Sequence, residues 1–262
     1  MLGVIGMAVI TLDKKEWMRH LGQFGDNLKD LKLVLFKTPS TLGYSVAFQT
    51  YYLSVYQQYP NAVTKGGEII ISDLNKLRIF LKKCTGDITF KHMKNGRTLY
   101  VSCGSLKMNL PVTDIISTQL VPTYEALTKK AMKVEWEIFG IDTYTLHAKY
   151  VDFKDILTLS SFQSLVKKDS DFVITANAQA GELAVSAGKA HDVKVFATTN
   201  LTDVDGPEDT VSSNFGSWLL PCLSMIDESM DSNIHFGNAT GLVVEQSNNA
   251  VKRLLIIIDQ QE

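Results

Sequence analysis

The sequence predicts an α+β protein built from two similar domains, each made of antiparallel sheets with two helices. Three observations predict it. Short runs rich in β-branched and aromatic residues outnumber helical stretches. The order of strand and helix signals in residues 1–112 returns in residues 133–262. Between them, residues 113–132 contain Pro122 and no clear alternation, as expected of an interdomain connector and not of a loop inside one compact domain.

The apolar start Met1–Ile10 is soon interrupted by Asp13, Lys14 and Lys15. It lacks a basic leader region and is too short to cross a bilayer, so it reads as a first strand of a soluble, intracellular protein. Asp13–Leu28 opens with Asp13-x-x-Glu16, a capping-box pattern, and sets Trp17, Leu21, Phe24 and Leu28 on one face. Strand runs follow at Lys32–Lys37, Tyr44–Tyr56 and Glu68–Ile71. A second helix, Ser72–Lys83, presents Leu74, Leu77, Phe80 and Leu81. Asp87–His92 and Thr98–Cys103 flank Asn95-Gly96, the signal for a type I′ hairpin turn.

In the second half, strand runs at Lys133–Phe139 and Thr143–Val151 precede a helix over Asp152–Lys168. Runs at Phe172–Ala176, Leu183–Ser186 and Val193–Thr198 come next. Ser217–Met230 reads as a fourth helix, with Pro221 tolerated only in its first turn or at a kink. Asn233–Phe236, Gly241–Glu245 and Arg253–Ile258 close the chain as strands.

Composition removes several function classes. With 45% hydrophobic and 21% charged residues the chain is globular and not disordered. Its 26 Lys and Arg against 28 Asp and Glu give a net charge of −2, so any DNA contact requires positive charge gathered on one surface. Cys84, Cys103 and Cys222 form no CxxC and read as buried thiols. No G-x-S-x-G, Walker A loop or HExxH is present, and His20, His92, His147, His191 and His235 are scattered singly. Asp203, Asp205, Glu208 and Asp209 surround Gly206-Pro207 without the oxygen spacing of a Ca²⁺ loop, and read as a solvated loop. The chain is therefore expected to have no catalytic residue, metal or cofactor.

Gly67-Glu68-Ile69-Ile70-Ile71-Ser72-Asp73-Leu74-Asn75-Lys76-Leu77, continuing through Phe80-Leu81, is followed by Gly86–Phe90, the Asn95-Gly96 turn, Thr98–Cys103 and Leu110-Pro111. At the other end, Gly241-Leu242-Val243-Val244-Glu245, a polar turn and Leu254–Ile258 precede the tail Asp259–Glu262. These stretches resemble DNA sliding clamps of the proliferating-cell-nuclear-antigen type, nearest to those of tailed phages. The resemblance covers nearly the whole chain in element order, through a diffuse signature. It implies closed rings of three two-domain subunits, with sheets outside and helices lining a hole through which duplex DNA passes unread. It further implies a clamp loader and a DNA polymerase as partners, no membrane, and the host cytoplasm for a phage-encoded protein.

A ring that slides needs phosphate attraction without base contacts. The helices offer Lys14, Lys15, Arg19 and His20, then Lys76, Arg78, Lys82 and Lys83, then Lys154, Lys167 and Lys168; Ser217–Met230 offers no Lys or Arg and carries Asp227 and Glu228. By the same resemblance, Leu120, Val121, Pro122, Tyr124 and Leu127 of the connector, with Ile258 of the last strand, border a pocket for partner peptides, and Tyr51 and Tyr52 flank it. The hairpin near Asp87–Cys103 and a strand within Phe172–Thr198 are the candidate sheet edges for ring closure. Two other readings compete: a monomeric two-domain DNA-binding processivity factor, and a non-enzymatic β-rich viral structural protein. The near-neutral charge favours the ring over the monomer, because a topological link needs little affinity.

Overall fold

The computed structural model describes residues 7–15, 17–18, 33–38, 41–48, 51–58, 63–65, 69–71, 73–93, 96–112, 146–149, 151–159, 172–188, 194–206, 209–216, 219–239, 241–249 and 251–257; within 33–71 it describes the backbone alone. The chain divides into two compact units. Unit 1 is Met1–Phe48, Leu53–Lys133 and Ala250–Lys252; unit 2 is Gln49–Tyr52, Val134–Asn249 and Arg253–Glu262.

Unit 1 holds β1 (Met7–Asp13), β2 (Leu33–Thr38), β3 (Thr41–Phe48), most of β4 (Tyr51–Gln58), β5 (Val63–Lys65), β6 (Ile69–Ile71), helix α1 (Leu74–Lys83), β7 (Asp87–Met93), β8 (Thr98–Cys103) and β9 (Leu106–Pro111). Unit 2 holds β10 (Leu146–Lys149), α2 (Lys154–Thr158), β11 (Phe172–Asn177), β12 (Glu182–Ala187), β13 (Val195–Asn200), β14 (Thr202–Asp205), β15 (Thr210–Phe215), α3 (Leu219–Leu223), β16 (Asp231–Phe236), β17 (Leu242–Ser247) and most of β18 (Val251–Ile257).

The strands of unit 1 are ordered β5-β1-β7-β8-β9 and β4-β3-β2-β6. Those of unit 2 are ordered β14-β10-β16-β17-β18 and β13-β12-β11-β15. Counted from one to nine within each unit, both read 5-1-7-8-9 and 4-3-2-6. In each unit helical residues follow the first strand and a helix joins the sixth strand to the seventh. The two units are therefore two copies of one antiparallel topology.

Period-two alternation builds the core of unit 1. Ala8, Ile10 and Leu12 of β1, Ile88 and Phe90 of β7, and Leu99, Val101 and Cys103 of β8 are all buried. Cross-strand pairs such as Ile10↔Phe90 and Phe90↔Val101 stack them on one face. Trp17, 1% exposed, meets Phe90 edge-on with ring centroids 4.2 Å apart, which fixes the residues after β1 onto the sheet.

Several local expectations are revised. The β7–β8 hairpin exists, but its turn is closed by the Gly96 N–H donating to the Met93 carbonyl at 2.7 Å, and Gly96 does not have positive φ. Glycine is required there because an added Cβ would lie 2.9 Å from that carbonyl oxygen. The two-residue turn is the next one, where Cys103 pairs with Leu106 across Gly104-Ser105 and Gly104 takes φ +56°. The run Tyr44–Tyr56 is two strands, β3 and β4.

Among the described residues, the expected helix over Ser217–Met230 is helical only at α3. Met225 and Ile226 N–H groups donate to Cys222 and Leu223 carbonyls three residues back, and the Asp227 carboxylate accepts from the Ser229 N–H and hydroxyl, so local side-chain bonding favours turns. Asp203 and Asp205 stand on strand β14, not in a loop. Strands β5, β9, β14 and β15 carried no clear signal. In β15 the buried positions are Val211, Ser213 and Phe215, and the buried Ser213 hydroxyl, donating to the Gly237 carbonyl at 2.9 Å, breaks the apolar alternation. Residues 19–28, 133–139 and 160–168, where the first helix, a strand and the third helix were expected to extend, lie outside the described residues.

Candidate nucleic-acid interface

Helix α1 is the best-formed basic element. The Asp73 carboxylate caps its start, accepting the Lys76 N–H at 2.9 Å, and the Lys76 ammonium reaches the same carboxylate at 2.9 Å. That pairing holds the Asp73 carboxyl below the usual carboxylate range. Leu77 and Leu81 point into unit 1 with Cys84 behind them. Lys76, Lys82 and Lys83 are exposed, with Ile79, 65% exposed, on the same outer side. Lys82 and Lys83 occupy the last turn, where a helix end favours cations.

Two of the candidate DNA-facing cations prove otherwise engaged. Arg78 is only 8% exposed. It stands four residues after Leu74 and three before Leu81, inside the apolar stripe, so its guanidinium belongs to the fold and not to a solvent-facing surface. Lys14 donates its ammonium to the carbonyls of Lys82 at 3.1 Å and Cys84 at 2.6 Å, satisfying the end of α1. That contact brings the chain at Lys15 beside the end of α1. Lys15 (exposed), Lys82 and Lys83 thus gather at one end of unit 1.

In unit 2, Lys154 is exposed at the first position of α2, its N–H held by the Asp152 carboxylate at 2.9 Å, with Asp155 beside it. Arg19, His20, Lys167 and Lys168 lie outside the described residues. So do the pocket residues Leu120, Val121, Pro122, Tyr124, Leu127 and Ile258. The side chains of Tyr51 and Tyr52 also lie outside them.

Sequence reasoning missed one constellation. His147 of β10 and His235 of β16 are direct cross-strand partners, with Nδ1 atoms 2.6 Å apart, so one ring donates its Nδ1–H to the other. Glu245 lies 3.8 Å from the far nitrogen of His235, and Asp205 pairs with His147 across β14. Burial, then the proximity of His147, drives the His235 pKa down to about 3; burial also lowers His147, with Asp205 opposing. Eighty-eight residues separate the two rings, and only strand register shows that they meet. Among the described residues no group of three or more His, Cys, Asp or Glu is placed to hold a metal ion.

Of the two edge expectations, the first is corrected. Among the described residues both strands of the Asp87–Cys103 hairpin are interior and β9 forms the edge of their sheet, because the chain adds one more strand after Cys103. In unit 2, β13 (Val195–Asn200) is an edge strand among the described residues, as expected of a strand in the Phe172–Thr198 region. Leu106 of β9, 43% exposed, and Phe196 of β13, 72% exposed, are large apolar side chains on these edges.

No family model and no characterised protein sequence matches the chain. Solved structures do. PCNA from Thermococcus kodakaraensis is 14% identical with a TM-score of 0.64, over 97% of this chain and 100% of that one. PCNA from Entamoeba histolytica is 11% identical with a TM-score of 0.65, over 98% and 100%. The Helicobacter pylori beta clamp, solved bound to a DNA ligase peptide, is 11% identical with a TM-score of 0.61, over 97% of this chain and 67% of that one. This chain has the sliding-clamp fold.

At such identities the likeness is one of fold, and it accords with the duplicated 5-1-7-8-9 and 4-3-2-6 topology. Within the clamp fold, α1 is the helix between strands six and seven of unit 1, and α3 is its counterpart in unit 2. The A. fulgidus PCNA was solved with the C-terminal region of FEN-1. No described helix is long and apolar enough to cross a membrane.

Proposed function

We propose that this protein is a non-enzymatic DNA sliding clamp, a homotrimeric ring that encircles duplex DNA without reading its sequence and tethers a DNA polymerase. The observation that carries this reading is the duplication of one clamp module in a chain whose best-formed basic helix, α1, exposes Lys76, Lys82 and Lys83. With a net charge of −2, the chain is poorly suited to holding DNA by charge alone, and encirclement removes the need. The strand edges β9 and β13, each with one strand neighbour among the described residues, suit sheet continuation between copies, which would cover Leu106 and Phe196. A clamp loader would open the ring. Partner peptides would dock along the connector at Leu120, Val121, Pro122, Tyr124 and Leu127, with Ile258 beside them.

The test is mass and topology together. The proposal expects a species near three times 29.1 kDa in solution. It also expects a loaded complex that is retained on closed circular DNA and lost on linearisation. A strict monomer at high concentration, or equal retention on linear and circular DNA, refutes the ring.

A further inference from the structure

Unit 2 carries a pair of nitrogen donors that encircling DNA does not use. Leu146 and Ala148 of β10 and Ile234 and Phe236 of β16 are buried in the core. Side chains alternate along a strand, so His147 and His235 stand together on the opposite face of the sheet. They are direct cross-strand partners, with Nδ1 atoms 2.6 Å apart and ring planes at 54°. The two side chains therefore converge through the same atom of each ring. His235 is buried and His147 is half-buried, so one ring anchors the pair and the other is reached from solvent.

The surroundings suit the pair to a cation. Burial holds both rings neutral near pH 7, the form that carries a lone pair for a metal. The Glu245 carboxylate, 3.8 Å from His235 Nε2, favours the His235 proton on that nitrogen and leaves its Nδ1 lone pair facing His147. Asp205, the cross-strand partner of His147 in β14, adds a second carboxylate whose charge reaches the His147 ring. Together the two carboxylates offset the charge that a divalent ion brings.

Spacing selects the ion. A metal bonded to both nitrogens at about 2.0–2.1 Å holds them about 2.9 Å apart at a right angle and about 3.3 Å apart at a tetrahedral angle. From 2.6 Å the right-angle geometry needs only a small opening of the pair, and the tetrahedral one needs more than twice as much.

We propose that His147 and His235 form a binding site for a square-planar or octahedral divalent metal ion, Cu²⁺ or Ni²⁺, held by the two Nδ1 atoms with water in the remaining positions. On binding, the proton that His147 Nδ1 shares with His235 exchanges through solvent to His147 Nε2, so both rings stay neutral and no net proton is released. Two protein ligands make the site an exchangeable one, in keeping with the absence of a group of three or more His, Cys, Asp or Glu placed for a metal among the described residues.

Electron paramagnetic resonance of the full chain with equimolar CuCl₂ near neutral pH tests it. The expected spectrum shows superhyperfine splitting from two imidazole nitrogens. His147→Gln removes that pattern and weakens Cu²⁺ binding roughly a hundredfold in competition with glycine, because tethering two ligands multiplies affinity by about 10²–10⁴. His235→Gln does the same where its circular dichroism spectrum stays native; His147 is half-buried, so its replacement carries the test should the His235 variant unfold. His20→Gln, in unit 1, changes neither readout. A wild-type spectrum with fewer than two nitrogens, a two-nitrogen pattern that survives His147→Gln, or an equal loss in His20→Gln overturns the proposal.

Discussion

Units 1 and 2 share one topology and solve the same local problem differently. In each, the segment that follows the second helix must be tied down before the seventh strand begins. Unit 1 does this from the outside, with the half-buried Lys14 ammonium on the carbonyls of Lys82 and Cys84. Unit 2 does it from the inside, with Arg253, 3% exposed, bonded to Met225 and Gln246 and 3.8 Å from the Asp227 carboxylate. Topology therefore fixes where a tie is needed, and local sequence decides which residue provides it. The helices diverge in the same way. Helix α1 runs ten residues with an exposed basic side, whereas α3 runs five and carries no charge.

The largest effect expected from breaking this comparison is at Arg253. Arg253→Ala removes the buried donor to the Met225 carbonyl and one of the two donors to the Gln246 side-chain oxygen, and a loss of about 3 kcal/mol is expected in the unfolding free energy from urea titration. Lys14→Met removes a partly solvated bond and should cost about 1 kcal/mol by the same measurement. Equal losses would show that the two ties are not as different as their burial suggests.

Charge reversal sharpens the contrast on the side proposed to face DNA. Lys82→Glu with Lys83→Glu should impair loading onto circular DNA while leaving the circular dichroism spectrum unchanged. Lys154→Glu in unit 2, next to Asp155, should impair loading less. Arg78→Glu is expected to unfold the protein, because position 78 is buried.

Acid should act mainly through unit 2. His147 and His235 both have folded pKa values below the usual histidine value of 6.5. Above pH 6.5 both states carry neutral rings and stability is unaffected. Below it the unfolded chain takes up protons that the folded pair refuses, so stability falls as pH drops from 6.5 toward about 3, by at most about 1.4 kcal/mol per unit for each ring. Most of the loss belongs to His235, the more buried of the two. The double variant His147→Gln with His235→Gln should flatten this slope in pH-dependent unfolding; an unchanged slope would assign acid sensitivity elsewhere.

The smallest effect concerns the thiols. Burial and the neighbouring Cys103 push Cys84 up to about 11, and burial raises Cys222 as well. Neither should react with a thiol reagent near pH 8 until the chain unfolds. Fast modification of either in the native protein would mean that its unit opens.

What the sequence carried was everything encoded by local period. Runs rich in β-branched and aromatic residues marked β7, β8, β11 and β12, the spacing of Leu74, Leu77 and Leu81 marked α1, and the repeated order of these signals announced a duplicated α+β module. Arg78 was also legible in principle, since its spacing from Leu74 and Leu81 sets it in the apolar stripe. Strand β15 was hidden by a serine at a core position, and the run to Met230 was cut short by an aspartate that bonds its own turn.

Only the tertiary structure decided which charges are spent within the fold and which remain for a partner. Lys14 and the end of α1 are 68 residues apart, His147 and His235 are 88, and Arg253 and Met225 are 28. Such contacts depend on strand register and on the closure of long loops. Neither leaves a periodic trace in a linear sequence, because period reports which way a side chain faces and not what it meets.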